Sequence, residues 1–204
     1  MAATTQNKLP LMEAFYTLQG EGHYTGRAAY FIRLGGCDVG CHWCDVKESW
    51  NAGDHPETST DLITQGAIAH KSRFTVITGG EPFMYDLNEL CSKLTSKGFE
   101  LAVETSGAYP LSGNWHWICL SPKKTKPPIE EFYQQANELK IIIYNQSDFK
   151  WAEEHATKVN ENCKLYLQVE WSKREEMTPS IIEYIKHNPK WSISVQSHKY
   201  LNIP

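Results

Sequence analysis

Apolar residues along the chain gather in short runs separated by amphipathic stretches, and the runs read as strands. Segments 28–34, 74–78, 99–105, 115–120, 138–144, 165–169 and 191–196 are rich in β-branched, aromatic and other apolar residues, the composition of buried strands. Between them, 61–72, 86–97, 129–137, 147–160 and 179–187 carry helical spacing, with Pro179 suited to a first turn and Gly98 to a helix end. Strands alternating with helices predict an α/β fold built on a mainly parallel sheet. One crossover is too short for a helix, because 106–114 contains Gly107, Pro110 and Gly113. A complete eightfold β/α barrel needs about 250 residues, whereas this chain has 204. The expected architecture is an incomplete parallel β/α barrel with some helices trimmed.

Composition narrows the picture further. With 204 residues and 41% hydrophobic content, the chain fills one core, and no linker, repeat or low-complexity tract divides it, so 1–204 is expected to form a single domain. A net charge of -4 argues against nucleic acid or anionic membrane as a partner attracted by bulk charge, and favours a small-molecule substrate. No apolar run is long enough to span a bilayer, and the opening MAATTQNKLP lacks the apolar core of a signal peptide. A cytoplasmic location is expected.

Six cysteines stand at 37, 41, 44, 91, 119 and 163. Cys37, Cys41 and Cys44 crowd into LGGCDVGCHWCD, flanked by Gly35, Gly36 and Gly40, while the others lie alone in apolar segments. That layout suits a metal-binding loop rather than a disulfide framework. Thiolate is a soft ligand for both zinc and iron–sulfur clusters. Structural zinc would want a fourth ligand, and His42, directly after Cys41, is poorly placed to supply it. A second motif, Thr78-Gly79-Gly80-Glu81-Pro82, follows an apolar strand, where α/β folds build their sites. By itself it could be a glycine turn before a helix.

Together the two motifs resemble the radical S-adenosylmethionine (SAM) superfamily. The resemblance implies a [4Fe-4S] cluster on Cys37, Cys41 and Cys44, with one iron left open for SAM, and Gly80-Glu81 beside the SAM amino group. Phe15-Tyr16-Thr17-Leu18-Gln19-Gly20-Glu21-Gly22, Arg33 in YFIRLGGC, Val103-Glu104-Thr105-Ser106-Gly107, and the final HKYLNIP resemble the 7-carboxy-7-deazaguanine synthase family. That family contracts 6-carboxy-5,6,7,8-tetrahydropterin to 7-carboxy-7-deazaguanine, with loss of ammonia, for queuosine and related deazapurines. A deoxyadenosyl radical drawn from SAM abstracts hydrogen from C6.

The resemblance implies substrate contacts at Leu18, Gln19, Gly20, Arg33, Thr78 and Pro204. It implies SAM contacts at Trp43, Gly80, Glu81, Ser121, Pro122, Lys123, Gln168, Val169, Glu170 and Trp171. Arg33 offers a planar charged fork for a carboxylate, and Gln19 can read a pterin edge. Gln196 and His198 are further polar candidates. Magnesium is also implied, with Asp45 as the available ligand. Here Val46 stands where the family carries Thr or Ser, and valine cannot ligate. Val169 likewise replaces a family proline. A flavodoxin or ferredoxin electron donor and a homodimer complete the implied partners. Two alternatives share these residues: a glycyl-radical-enzyme activase and a non-enzymatic zinc module.

Overall fold

Every apolar run takes its place in one sheet. In the computed structural model, which describes residues 7–204, the elements run β1 (Lys8–Leu18), β2 (Ala28–Leu34), β3 (Glu57–Ser59), α1 (Thr60–Ile68), β4 (Phe74–Gly79), α2 (Asn88–Ser96), β5 (Glu100–Thr105), β6 (Trp117–Leu120), α3 (Glu131–Gln135), β7 (Glu138–Ile143), α4 (Asp148–Ala156), β8 (Lys164–Val169), α5 (Arg174–His187), β9 (Trp191–Ser194) and α6 (Ser197–Leu201). Part of the opening stretch read for a signal peptide, residues 1–6, lies outside the described residues. No described helix is long and apolar enough to cross a membrane.

The sheet order is β3-β1-β2-β4-β5-β6-β7-β8-β9. From β2 to β9 all neighbours are parallel, while β1 and β3 add antiparallel at one edge. Since β3 and β9 are not paired to each other, the sheet is an open, incomplete barrel. The β5–β6 crossover holds no helix.

Strand alternation sorts the side chains onto two faces. Ile32, Leu34, Ile77, Val103, Leu120, Leu139, Ile141 and Leu167 join the main core with the helices, including Leu90, Leu94, Phe132 and Ile181. Their sequence neighbours Arg33, Thr78, Glu104, Lys140 and Gln168 point the other way, into a cavity. A small apolar cluster of Ala29, Phe31, Phe74, Val76 and Ala102 lies lower on that second face.

Several expectations are corrected. β1 and β3 were not among the expected strands, and α6 was not among the expected helices. Pro10 and a register irregularity between Leu11 and Glu13 break the alternation of β1. The helix expected over 179–187 begins at Arg174, so Pro179 sits inside α5 rather than in its first turn. Acidic Glu175 and Glu176 favour that earlier start at the positive end of the helix dipole. The helices expected over 61–72, 129–137 and 147–160 are each shorter. Gly98 does end α2, at φ +77.

Candidate active site

The parallel strands deliver their carboxyl ends to one cavity of about 530 Å³. Cys37, Cys41 and Cys44 line it from the loop after β2, and Gly79, Gly80 and Glu81 from the end of β4. These loops are joined by backbone hydrogen bonds: Gly80 N–H donates to Leu34 O and Glu81 N–H to Gly36 O, both at 2.9 Å. The approach is too close for side chains. A Cβ on Gly80 would meet the Gly36 carbonyl oxygen at 2.2 Å and the Cys37 Cβ at 2.7 Å, and Gly36 itself has φ +99.

All six cysteines are free thiols. Burial pushes the Cys37 and Cys41 thiols above their ordinary range. Asp38 pins the loop from outside, accepting from Tyr109 Oη at 2.5 Å and Lys126 Nζ at 2.8 Å. The remaining cysteines are core thiols: burial raises Cys91 and Cys163 to about 12 and pushes Cys119 well above its ordinary range.

Glu81 is 1% exposed and fully engaged. Its Oε1 accepts from Thr105 Oγ1 at 2.6 Å and Phe83 N at 3.2 Å, and its Oε2 from Ser106 N at 2.8 Å and Ser106 Oγ at 2.5 Å. The carboxylate is therefore committed to holding its own loop, which leaves backbone groups of Gly79-Gly80-Glu81 to meet a ligand.

On the same rim, Lys123 Nζ donates to Ser121 O at 2.5 Å and Ser121 Oγ at 2.7 Å, and lies 5.9 Å from the Trp43 ring centroid. Burial pushes this ammonium below its ordinary pKa. Glu170 Oε1 accepts from Ser172 N at 3.2 Å, which fixes the turn after β8. Of the residues to which the sequence assigns contacts, Leu18, Gln19, Gly20, Arg33, Trp43, Asp45, Thr78, Ser121, Lys123, Gln168, Val169, Glu170, Trp171 and Pro204 line this cavity with the cysteines, Gly80 and Glu81. Pro122 is buried behind the lining.

Arg33 is half-buried, and its Nε donates to Glu13 Oε1 at 2.7 Å. That contact orients the guanidinium. Asp45 accepts from Lys199 Nζ at 3.0 Å, and Lys199 lies 5.0 Å from the Trp171 ring centroid. The segment after β1 and helix α6 meet here. Ser197 N and Oγ donate to Gly20 O at 2.9 and 3.1 Å, and a Cβ on Gly20 would strike the His198 ring. Burial lowers the His198 pKa.

On the cavity floor, Glu21, Glu104 and Lys140 carry no role in the sequence reading. Gln19 Nε2 donates to Glu104 Oε1 at 3.0 Å, and Gln196 Nε2 to Glu21 Oε1 at 3.0 Å. Lys140 pairs with Glu21 and reaches Glu104 Oε2 at 3.5 Å. Burial alone would raise the Glu21 carboxyl, but the Lys140 charge and hydrogen bond bring it down to about 2. Burial opposes the charged form of Lys140, yet Glu104 and Glu21 hold its pKa well above the ordinary value. The usable signal was a charged residue inside an apolar run, as in LAVET and ELKIII.

Residues 31–118 match the radical SAM superfamily model. A 7-carboxy-7-deazaguanine synthase from Flavobacterium psychrophilum is 61% identical over 196 residues, covering 96% of this chain and 93% of the relative. A second, from Synechocystis, is 50% identical over 194 residues, covering 95% and 93%. The crystal structure of QueE from Escherichia coli superposes with a TM-score of 0.81 at 32% identity, covering 94% of this chain and 95% of the other. By this similarity over nearly its whole length, the chain belongs to the 7-carboxy-7-deazaguanine synthase family within the radical SAM superfamily.

Proposed function

We propose that the chain converts 6-carboxy-5,6,7,8-tetrahydropterin to 7-carboxy-7-deazaguanine with loss of ammonia, in queuosine or related deazapurine biosynthesis. The observation that carries this reading is the convergence on one cavity of the three free thiols, the Gly79-Gly80-Glu81 loop, Gln19 and Arg33.

The residues fit a [4Fe-4S] cluster and SAM. Cys37, Cys41 and Cys44 are soft donors on a loop that opens into the cavity, and three thiolates leave one iron of a cluster free for an exchangeable ligand. Trp43, Gly79, Gly80, Ser121, Lys123 and residues 168–171 line the wall that would receive SAM. Pro122, behind that wall, shapes the loop. Bound there, the cluster and SAM supply the one-electron chemistry that removes hydrogen from substrate C6.

The chain's own residues orient and shield. Arg33 takes the substrate carboxylate on the guanidinium edge that Glu13 leaves free. Arg33 and Thr78 are Cα partners on β2 and β4, and Glu104 is on β5. Two interstrand steps, about 10 Å, therefore separate Arg33 from Glu104, matching the long dimension of a carboxylated bicyclic ring. Leu18, Gln19 and Gly20 close one side and Pro204 another, which keeps water and stray hydrogen donors from the reacting carbon.

Magnesium does not fit the residues present. Val46 offers no side-chain donor, and the Asp45 carboxylate is held by Lys199 at 3.0 Å. The proposal also includes a single working domain with its N-terminal segment and C-terminal tail closing the site, a cytoplasmic location, a flavodoxin or ferredoxin as reductant, and a homodimer. The test is anaerobic incubation of reconstituted, reduced protein with SAM and the carboxytetrahydropterin, followed by mass spectrometry. The reading expects 7-carboxy-7-deazaguanine; deoxyadenosine without that product removes it.

A further inference from the structure

The floor of the cavity contains a buried cation that cluster and SAM binding leave without a task. Lys140 lies on β7, with its side chain 5% exposed, between Glu21 at 15% and Glu104 at 24%. Each carboxylate is gripped from two sides. Glu104 gives one oxygen to Gln19 Nε2 at 3.0 Å and the other to Lys140 Nζ at 3.5 Å. Glu21 gives one oxygen to Gln196 Nε2 at 3.0 Å and the other to Lys140. The Glu21 backbone N–H then donates to Gln19 Oε1 at 3.0 Å, closing a ring from Gln19 through Glu104, Lys140 and Glu21 back to Gln19.

One amide N–H of each glutamine and the ammonium are turned onto the carboxylates, so the floor shows a ligand mainly acceptors. The buried Oε1 of Gln196 has no partner at all. A buried acceptor without a donor is costly, and here it belongs to the same side chain whose amide N–H supports Glu21. Two carboxylates this close would repel, and one would take up a proton, unless a cation stood between them. A protonated carboxyl would present a donor and reverse the floor's preference.

We propose that Lys140 is a positioning residue that keeps Glu21 and Glu104 as a fixed pair of ionised acceptors, and thereby selects a ligand edge built of N–H donors, such as an amino-pyrimidinone, over its oxo counterpart. This rests on the function proposed above and extends it to specificity. Lys140 touches no reacting atom. It acts through the two carboxylates, with Gln19 and Gln196 as their second supports.

The test compares wild type, K140M and K140R, each reconstituted with its cluster and loaded with SAM. Equilibrium binding is measured for 6-carboxytetrahydropterin and for the analogue whose 2-amino group is replaced by oxo. Wild type should favour the amino compound by at least 10- to 100-fold, of the order set by hydrogen bonds to charged groups. K140M should bind iron and SAM as wild type does but lose most of that discrimination, and K140R, whose fork reaches both carboxylates, should recover part of it. Should K140M not fold, E104Q serves in its place, because it removes one ionised acceptor and should likewise erode the preference.

Wild type that forms product while K140M, or E104Q in its stead, discriminates unchanged overturns the role of Lys140 and leaves the activity standing. Discrimination by wild type that the variant loses, without 7-carboxy-7-deazaguanine from either, supports the role and removes the activity.

Discussion

Ser106 clamps Glu81 through two bonds to a single oxygen, its backbone N–H at 2.8 Å and its hydroxyl at 2.5 Å from Oε2. The carboxylate at the end of β4 is thus positioned from the end of β5. Removing the Ser106 hydroxyl takes away one bond to a buried charge, a loss of about 1.5–3 kcal/mol. S106A should therefore melt several degrees lower and bind SAM more weakly, read by calorimetry. E81A should be worse, because it strands four donors at once. An S106A protein that matched wild type in both measurements would falsify the clamp.

Gly80 is set where no other residue fits. Its added Cβ would meet backbone, the Gly36 carbonyl at 2.2 Å, and backbone cannot swing aside. G80A is expected to push the β4 loop off the thiol loop, lowering both iron retention and SAM affinity. Gly26 is the control: at φ +87 with nothing within 4 Å, G26A should cost only about 1–2 kcal/mol of backbone strain and keep its iron.

Replacing Cys37, Cys41 or Cys44 singly by alanine should abolish cluster absorbance and turnover. C91A and C163A should retain both and lose only packing, on the order of 1 kcal/mol. Iron assay and visible spectra of the five variants decide it, and loss of the cluster in C163A would count against the assignment of ligands.

Acid should weaken the fold through His155. Burial, with a smaller contribution from Lys158, lowers its pKa from 6.5 to about 4, while its ring nitrogen stays 2.8 Å from Tyr133 Oη. The unfolded chain therefore takes up this proton first. Stability falls as pH drops from 6.5 toward 4 and levels off below, by about 3 kcal/mol in all. Denaturant unfolding across that range should show a limb that H155Q flattens; an equal slope in both proteins would exclude His155 as its source.

Arg33 should govern substrate and not SAM. R33M is expected to raise KM for the carboxytetrahydropterin at least tenfold, the scale of a lost charged hydrogen bond, with SAM affinity unchanged. R33K, which keeps the charge but not the fork, should fall between.

The central parallel strands were legible because most of their residues are buried, so that each reads as a nearly continuous apolar run. β1 was hidden for the opposite reason. Much of it is only half-buried, its register with β2 slips between Leu11 and Glu13, and its partner β3 is three residues long. At the site, the cysteines and glycines were visible through their spacing. Lys140 and Glu104 were not, since a single charge within a strand looks like an imperfection until the register of β5, β6 and β7 brings the two within 3.5 Å. The tie of Asp45 to Lys199 spans 154 positions, and no local pattern encodes it.

The bond from Ser197 to Gly20 joins positions 177 apart, nearly the length of the described chain. Closing so large a loop is entropically late in folding, after the local and neighbouring-strand contacts have formed. The thiol loop, by contrast, is assembled from residues 34–50 and the adjacent β4. During synthesis the soft-metal ligands are therefore made and gathered long before the last segment arrives to shape the floor and rim. A half-made chain can meet iron but has no finished place for a pterin, so maturation of the centre can precede any exposure of substrate to radical chemistry.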